Sequence, residues 1–197
     1  MNGKQIIISD RTCFLYHDKD ATHLLIQPVD EHDLEVLDQE LTPWPAPPVF
    51  GKVSFGSGAG ETLKYITSQL LPEVQDGISH VLLGGYSLAG LFVLWAGYQS
   101  DKFEGVVAAS PSVWYPKWIE YATNNTPGAK SVYLSLGDKE EKTKNSVMAQ
   151  VGNAIRRQQE LLTEREIKTT LEWNPGNHFV DSEKRMAKGF AWLMNNK

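Results

Sequence analysis

The sequence predicts a three-layer α/β sandwich, a mostly parallel sheet with helices on both faces. Short apolar runs rich in β-branched residues alternate with longer segments of helical period, the order that strands joined by crossover helices require. The middle runs, such as "HVLLGG" and "GVVAAS", read as buried strands, as a sheet covered on both faces demands. No internal repeat, low-complexity tract or hydrophilic linker interrupts the 197 residues, so one domain over residues 1–197 is the simplest organisation.

The elements follow in order. "QIIIS", "CFLYH" and "HLLIQPV" read as strands near the N-terminus. "DEHDLEVLDQEL" has helical character, with Asp30 or Asp33 available as its cap. "LTPWPAPPVFGKVSFGSGAG" is an irregular loop, because its prolines and glycines defeat both regular structures. A helix comes next, with Leu63, Ile66, Leu70 and Val74 on one face. The strand "HVLLGG" leads into "LAGLFVLWAGY", a helix apolar around most of its surface. "GVVAAS" and "SVYLSLG" are two further strands, bounded by Pro111 and Gly137. A long helix carries Val147, Val151, Ile155 and Leu162 as its inner stripe. "TTLEWN" is the last strand, and the closing helix presents Met186, Phe190 and Leu193 at i, i+4 and i+7.

The bulk numbers exclude several functions. Net charge is −5 and the pI about 5.5, so no electrostatic footprint for nucleic acid or an anionic membrane exists. Lys and Arg are scattered, and "REIK" and "EKRMAK", mixed in sign, read as solvated helix faces. A single cysteine, Cys13, reads as a small core residue and forms no internal disulfide, which fits a reducing compartment. The apolar run in "MNGKQIIISD" is too short for a signal peptide and no stretch is long enough to span a bilayer, so a cytoplasmic protein is expected. There is no H-E-x-x-H and no spaced Cys/His set, so no metal site is expected.

In open α/β sheets chemistry gathers at the carboxyl ends of the strands. One turn there invites it. Gly85-Tyr86-Ser87-Leu88-Ala89-Gly90 follows a strand and opens a helix, the context in which a G-x-S-x-G-like pattern marks a nucleophile elbow. A serine on so sharp a turn needs small neighbours, and the helix start aims free N–H groups toward its hydroxyl. Here Ala89 replaces the usual second glycine, with Gly90 next. An incidental serine in a glycine-rich corner is the plainer reading. A phosphate-binding loop is excluded, because the chain has no G-x-x-x-x-G-K-[ST] and no lysine at the helix start.

A serine hydroxyl needs a base to remove its proton. In the hydrolases that carry this turn, the acid and then the histidine follow the serine, each at the end of its own strand. Of five histidines only His178 follows Ser87, in "EWNPGNHFVD" between the last strand and the last helix. The acid that orients such an imidazole is sought after "SVYLSLG", where Asp138, Glu140 and Glu141 stand. A Gly-x-x-Asp/Glu pattern favours Glu140, with Asp138 close behind. The backbone N–H of Leu88 is the first oxyanion donor expected. The second would come from "IQPVDEHD", where Pro28 has no N–H and Val29 and Asp30 are the candidates.

Together, "GGYSLAGLFVLWA", "AASPSVWYPKW", "YLSLGD" and "NPGNHF" resemble the esterase D and enterochelin-esterase branch of the α/β-hydrolases, over roughly two-thirds of the chain from about Leu63 onward. The resemblance implies an α/β-hydrolase fold and carboxylic-ester hydrolysis by a Ser-His-acid triad, with no metal or organic cofactor. By position Ser87 matches the nucleophile and His178 the base, and the acid falls in the Asp138–Glu140 segment. The chain departs from the pattern before about residue 60, where one helix stands in place of a further strand ahead of the Pro-Trp loop.

Trp44, Trp114, Tyr115 and Trp118 fall in predicted loops. The Trp114 loop follows "GVVAAS", so Trp114 and Tyr115, with Tyr86 beside the nucleophile, are the substrate-binding candidates. Aromatic walls suit an acyl or aryl group. Loop packing over the sheet edge is the competing reading, at least as strong for Trp44. Phe179, beside the histidine, either limits its rotamer or anchors the last helix. The expected partner is a small-molecule ester, cleaved through an acyl-enzyme. A thioesterase, acyltransferase or peptidase on the same scaffold is the alternative, as is a non-catalytic binding protein, although no triad member is missing.

Overall fold

Five parallel strands build the main sheet: β3 (His23–Ile26), β4 (His80–Tyr86), β5 (Gly105–Ala109), β6 (Ser131–Gly137) and β7 (Lys168–Asn174), side by side in that order. The computed structural model describes residues 3–9, 11–16, 20–28 and 34–196. Asp30 and Asp33, named as helix caps, and Val29 and Asp30, named as second oxyanion donors, lie outside them. Ahead of the sheet, β1 (Gly3–Ile8) and β2 (Arg11–Tyr16) pair antiparallel as a separate two-stranded hairpin. The helices are α1 (Leu34–Glu40), α2 (Ala59–Tyr65), α3 (Leu71–Val74), α4 (Leu88–Gln99), α5 (Trp118–Asn124), α6 (Val151–Glu164) and α7 (Ser182–Asn195).

Period-two alternation divides the central strands between two layers. Leu83, Val106, Ala108, Val132, Leu134 and Leu136 face one side, where α4 and α6 cover them. Leu82, Val107, Ala109 and Tyr133 face the other, where α7 lays Met186, Phe190 and Leu193 on them. Strands covered on both faces have no solvated side, so β5 and β6 are buried at every position. Each fully buried Val or Leu side chain contributes roughly 1.5–3 kcal/mol, so this double-sided core fixes the sheet on which the site stands.

Three details of the helices differ from the sequence reading. A π-helical turn at Ile66–Leu70 joins α2 to α3; of the predicted face Ile66 is buried and Leu63 and Leu70 pack part-buried on the core, while Ala59, Thr62, Tyr65 and Leu71 are buried beside them. Val147 precedes α6 and is 41% exposed, outside the inner stripe it was expected to join. Trp118 begins α5 rather than lying in a loop, and its Nε1–H donates to buried Gln158 at 3.0 Å. The N-terminal region departs most: "QIIIS" and "CFLYH" stay out of the main sheet, and β3 is its edge. A cavity of about 880 Å³ opens between the hairpin, β3 and the first helices, lined by Phe14, Leu24, Ile26, Leu41 and Tyr65 among others. Cys13, on β2, is part-buried with its Sγ 3.4 Å from the Tyr65 hydroxyl. No helix among the described residues is long and apolar enough to cross a membrane.

The strand register sets where function can sit. Tyr86 pairs with Ala109 and Ala109 with Ser135, while Gly137 pairs with Asn174, so the carboxyl ends of β4 to β7 finish along one edge. Gly189 brings α7 close to that sheet. A Cβ there would lie 2.3 Å from Val107 Cγ1 and 2.8 Å from Tyr133 Cδ1. Gly189→Ala therefore sets a helix-propensity gain of about 1 kcal/mol against an overpacking cost of about 1–3 kcal/mol. We expect a net loss of stability in urea unfolding; a variant as stable as the wild type would contradict this close seating of α7.

Candidate active site

Ser87 occupies the one residue between β4 and α4, with φ 58° and ψ −121°. A non-glycine residue in that region is strained, and the strain persists because the surroundings over-determine it. The Ser87 N–H continues the sheet ladder to Ala109 O at 3.2 Å, and its carbonyl accepts from Leu91 N at 3.1 Å and Ser112 N at 3.0 Å. Gly85 and Gly90 make the corner sterically possible. A Cβ on Gly85 would lie 2.2 Å from Ala89 O, and one on Gly90 2.9 Å from Pro111 Cα. The small residue at Gly90, one place later than the usual pattern, is thus the one that lets the β5 loop approach.

Three sequence-predicted residues meet here. His178 Nε2 lies 3.1 Å from Ser87 Oγ, and His178 Nδ1 lies 2.8 Å from Glu140 Oε2. Glu140 is 8% exposed, in a short 3₁₀ turn after β6. Burial pushes its carboxyl up, but hydrogen bonds from His178, from the Ser110 hydroxyl and from the Gly137 N–H outweigh that and hold it below its ordinary value. An ionised carboxylate only accepts, so Nδ1 carries the proton and Nε2 presents a lone pair to the Ser87 hydroxyl.

Asp138 is elsewhere: its Oδ1 accepts from the Gly176 N–H at 2.9 Å, and its own N–H donates to Asn174 O at 2.9 Å. It closes the β6 and β7 loops onto each other. Leu88 is the first residue of α4, where helical geometry leaves its N–H without an intrahelical acceptor. Tyr86 is part-buried; its hydroxyl donates to the His178 carbonyl at 2.5 Å and accepts from Arg185 Nη1 at 3.1 Å. Burial raises its phenol, keeping it a donor. Tyr115 is 2% exposed, its hydroxyl donates to Trp44 O at 2.6 Å, and burial pushes the phenol up to about 12, so it packs in the core rather than lining a pocket. Trp114 is part-buried against Phe50 and Phe55, with ring centroids 6.1 and 6.2 Å away. Trp44 joins the same packing, its ring 6.5 Å from Trp118 and its Nε1–H donating to Pro116 O at 2.9 Å. Phe179 is 87% exposed and edge-on to the imidazole, with centroids 5.3 Å apart, so it does not anchor α7.

Sequence reasoning missed two residues. Ser110, at the end of β5 with φ 44°, donates to Glu140 Oε1 at 2.6 Å. Arg185, in the "EKRMAK" read as a solvated face, is instead 1% exposed and lies 2.9 Å from the same oxygen. The signal for Arg185 was positional: it stands four residues before Gly189 and eight before Leu193, on the buried stripe of α7. A charged residue on such a stripe is kept only where a partner meets it. Among the described residues, no group of three or more His, Cys, Asp or Glu is arranged to hold a metal.

Comparison with known proteins agrees with this architecture. No protein-family model matches the sequence. The Bacillus subtilis (strain 168) protein YbbA is 25% identical over 78% of this chain and 68% of its own. The siderophore hydrolase EstA from Aspergillus nidulans superposes with a TM-score of 0.69 at 21% identity, covering 93% of this chain and 71% of EstA. An IroE-like serine hydrolase from Shewanella oneidensis gives 0.65 at 18% identity over 80% of this chain and 56% of its own. The enterobactin esterase FES from Shigella flexneri gives 0.56 at 18% identity, over 69% and 39%. The chain has the α/β-hydrolase fold, with helices on both faces of a parallel sheet.

Two stability measurements follow from this geometry. Ser87→Gly is expected to be more stable than Ser87→Ala by about 1 kcal/mol in urea, the reverse of the usual order, because only glycine relaxes at this φ; equal stabilities would mean an unstrained turn. Glu140→Gln leaves Arg185 buried without its counter-charge and should cost about 3 kcal/mol at pH 7. Because the folded carboxyl is held below 4.5, its contribution is complete above that pH and is lost as pH falls toward the folded value. The gap between wild type and Glu140→Gln should therefore narrow below pH 4.5, and a constant gap would contradict the assignment.

Proposed function

We propose that this protein is a serine hydrolase cleaving a carboxylic ester of a small soluble substrate. The observation that carries the proposal is the unbroken relay from Ser87 Oγ through the two His178 nitrogens to the Glu140 carboxylate. Each link has the polarity that acyl transfer needs.

In this mechanism Ser87 Oγ attacks the ester carbonyl carbon while its proton passes to His178 Nε2. The carbonyl π pair becomes an oxyanion that the Leu88 N–H at the α4 N-terminus stabilises. Glu140 accepts the Nδ1–H throughout and offsets the charge of the imidazolium. Collapse of the tetrahedral intermediate expels the alkoxide, which leaves as the alcohol with the proton from Nε2. Water then repeats the sequence on the acyl-serine, with His178 taking its proton and returning it to Ser87 as the acid departs. His178 and Ser87 sit at the open carboxyl edge of the sheet, where the exposed Phe179 ring offers an apolar contact beside the imidazole. The fold likeness to siderophore esterases makes ester-linked siderophores one class to include among the substrates tried.

A fluorophosphonate probe should label the wild-type protein at Ser87, and Ser87→Ala should abolish both labelling and p-nitrophenyl ester turnover. His178→Ala should cost nearly as much, since members of a triad act as a unit. Undiminished turnover in Ser87→Ala would overturn the proposal. Ester, thioester and amide substrates of matched acyl group, run side by side, identify the acceptor class; fastest turnover is expected for the ester.

A further inference from the structure

We infer that Arg185 is a positioning residue for the His178 imidazole, setting both its place and the strength of the charge that it faces; this rests on the reading of Ser87, His178 and Glu140 as a hydrolytic relay. Arg185 stands on the first turn of α7, its N–H bonded to Asp181 O at 3.0 Å, with the side chain buried. Burying a guanidinium is expensive, and a merely structural ion pair is often replaceable by apolar packing. This one has a more particular arrangement. Nη1 lies 2.9 Å from Glu140 Oε1, 2.8 Å from Ser110 Oγ and 3.1 Å from the Tyr86 hydroxyl, while Nη2 donates to Asn177 O at 3.0 Å.

Those contacts converge on His178 from three directions. Glu140 holds the ring at Nδ1. Tyr86 holds the His178 carbonyl. Asn177 is the residue immediately before it. One planar cation thus ties the imidazole's side-chain partner, its own carbonyl's partner and the preceding peptide to a single helix. Lysine could not reproduce this, because a point ammonium lacks the fork. The two carboxylate oxygens are also divided: Oε1 takes Arg185, Ser110 and the Gly137 N–H at 2.7 Å, and Oε2 is left to His178. The arginine positive charge therefore opposes the field that Glu140 exerts on the imidazole. Other ionisable groups around His178 are Tyr86, Asp138 on the Gly176 N–H, and Asp181 paired with Lys184 at the surface.

The test separates charge from shape. With p-nitrophenyl acetate, Arg185→Met should lower kcat about 10–100-fold with KM changed less than about threefold, and should move the acidic limb of the kcat/KM profile to higher pH by about one unit, since a cation facing the pair is gone. Arg185→Lys keeps the charge and loses the fork, so its acidic limb should return to the wild-type position while kcat stays several-fold low. If Arg185→Met does not fold, Tyr86→Phe stands in: it removes the hold on the His178 carbonyl and leaves the buried charge, so kcat should fall about threefold or more with the limb unmoved. A folded Arg185→Met with the wild-type limb, a limb in Arg185→Lys that moves as far as in the methionine variant, or a wild-type kcat in Tyr86→Phe overturns the inference. Wild-type protein that turns over no ester and takes no fluorophosphonate at Ser87 would instead refute the hydrolase reading itself.

Discussion

A carboxylate withdrawn from water must be answered by donors, and the arrangement around Glu140 follows from that requirement. Isolated burial of the charge would cost several kcal/mol. Glu140 meets four donors: the Gly137 N–H, the Ser110 hydroxyl, the Arg185 guanidinium and His178 Nδ1. They come from the end of β6, the end of β5, the start of α7 and the loop after β7. The buried acid therefore acts as a fastener between four elements. The sheet register that aligns the strand ends makes those contacts possible, and the contacts in turn keep the loops from relaxing away.

Ser87 is held by the opposite strategy. Its backbone strain is absorbed locally, by hydrogen bonds to Ala109, Leu91 and Ser112 and by glycines at Gly85 and Gly90. The same corner touches the Glu140 cluster through its neighbours, Tyr86 on one side and Ser110 on the other. The nucleophile and the base themselves meet across the 3.1 Å contact between His178 and Ser87. A rigid corner facing an imidazole fixed from behind suits a reaction in which the proton moves and the heavy atoms hardly do.

Much of this was legible in the sequence because it rests on local chemistry. The small residues flanking Ser87 are dictated by a steric corner, so the turn announces itself. Chain order brought His178 forward and the Gly-x-x-Glu spacing favoured Glu140, since each follows a strand whose apolar run is plain. What was hidden depends on the third dimension. Arg185 sits in "EKRMAK", where charges of both signs suggest solvent, and only its phase with Gly189 and Leu193 marks it as buried. Tyr115 is aromatic and near the nucleophile in sequence, yet Phe55 and Trp44 enclose it, with ring centroids 5.2 and 6.0 Å away. The π-turn at Ile66–Leu70 interrupts a helix that periodicity reads as continuous, and no residue in "ITSQL" signals it.

The N-terminal strands show the limit of reading by propensity. "QIIIS", "CFLYH" and "HLLIQPV" have similar β-branched and aromatic content, but only the third joins the main sheet. Joining a parallel sheet requires a crossover long enough to return the chain in the same direction. Between β3 and β4 the chain has α1, α2 and α3 for that purpose, whereas between β2 and β3 only six residues intervene. A hairpin is the pairing that short connections allow to β1 and β2, and it leaves Ile7, Phe14 and Tyr16 more than half exposed. The edge that carries the proposed relay is insulated from this irregularity, because every residue of the relay and every donor to Glu140 lies beyond β3, at the carboxyl ends of β4 to β7 or on α7.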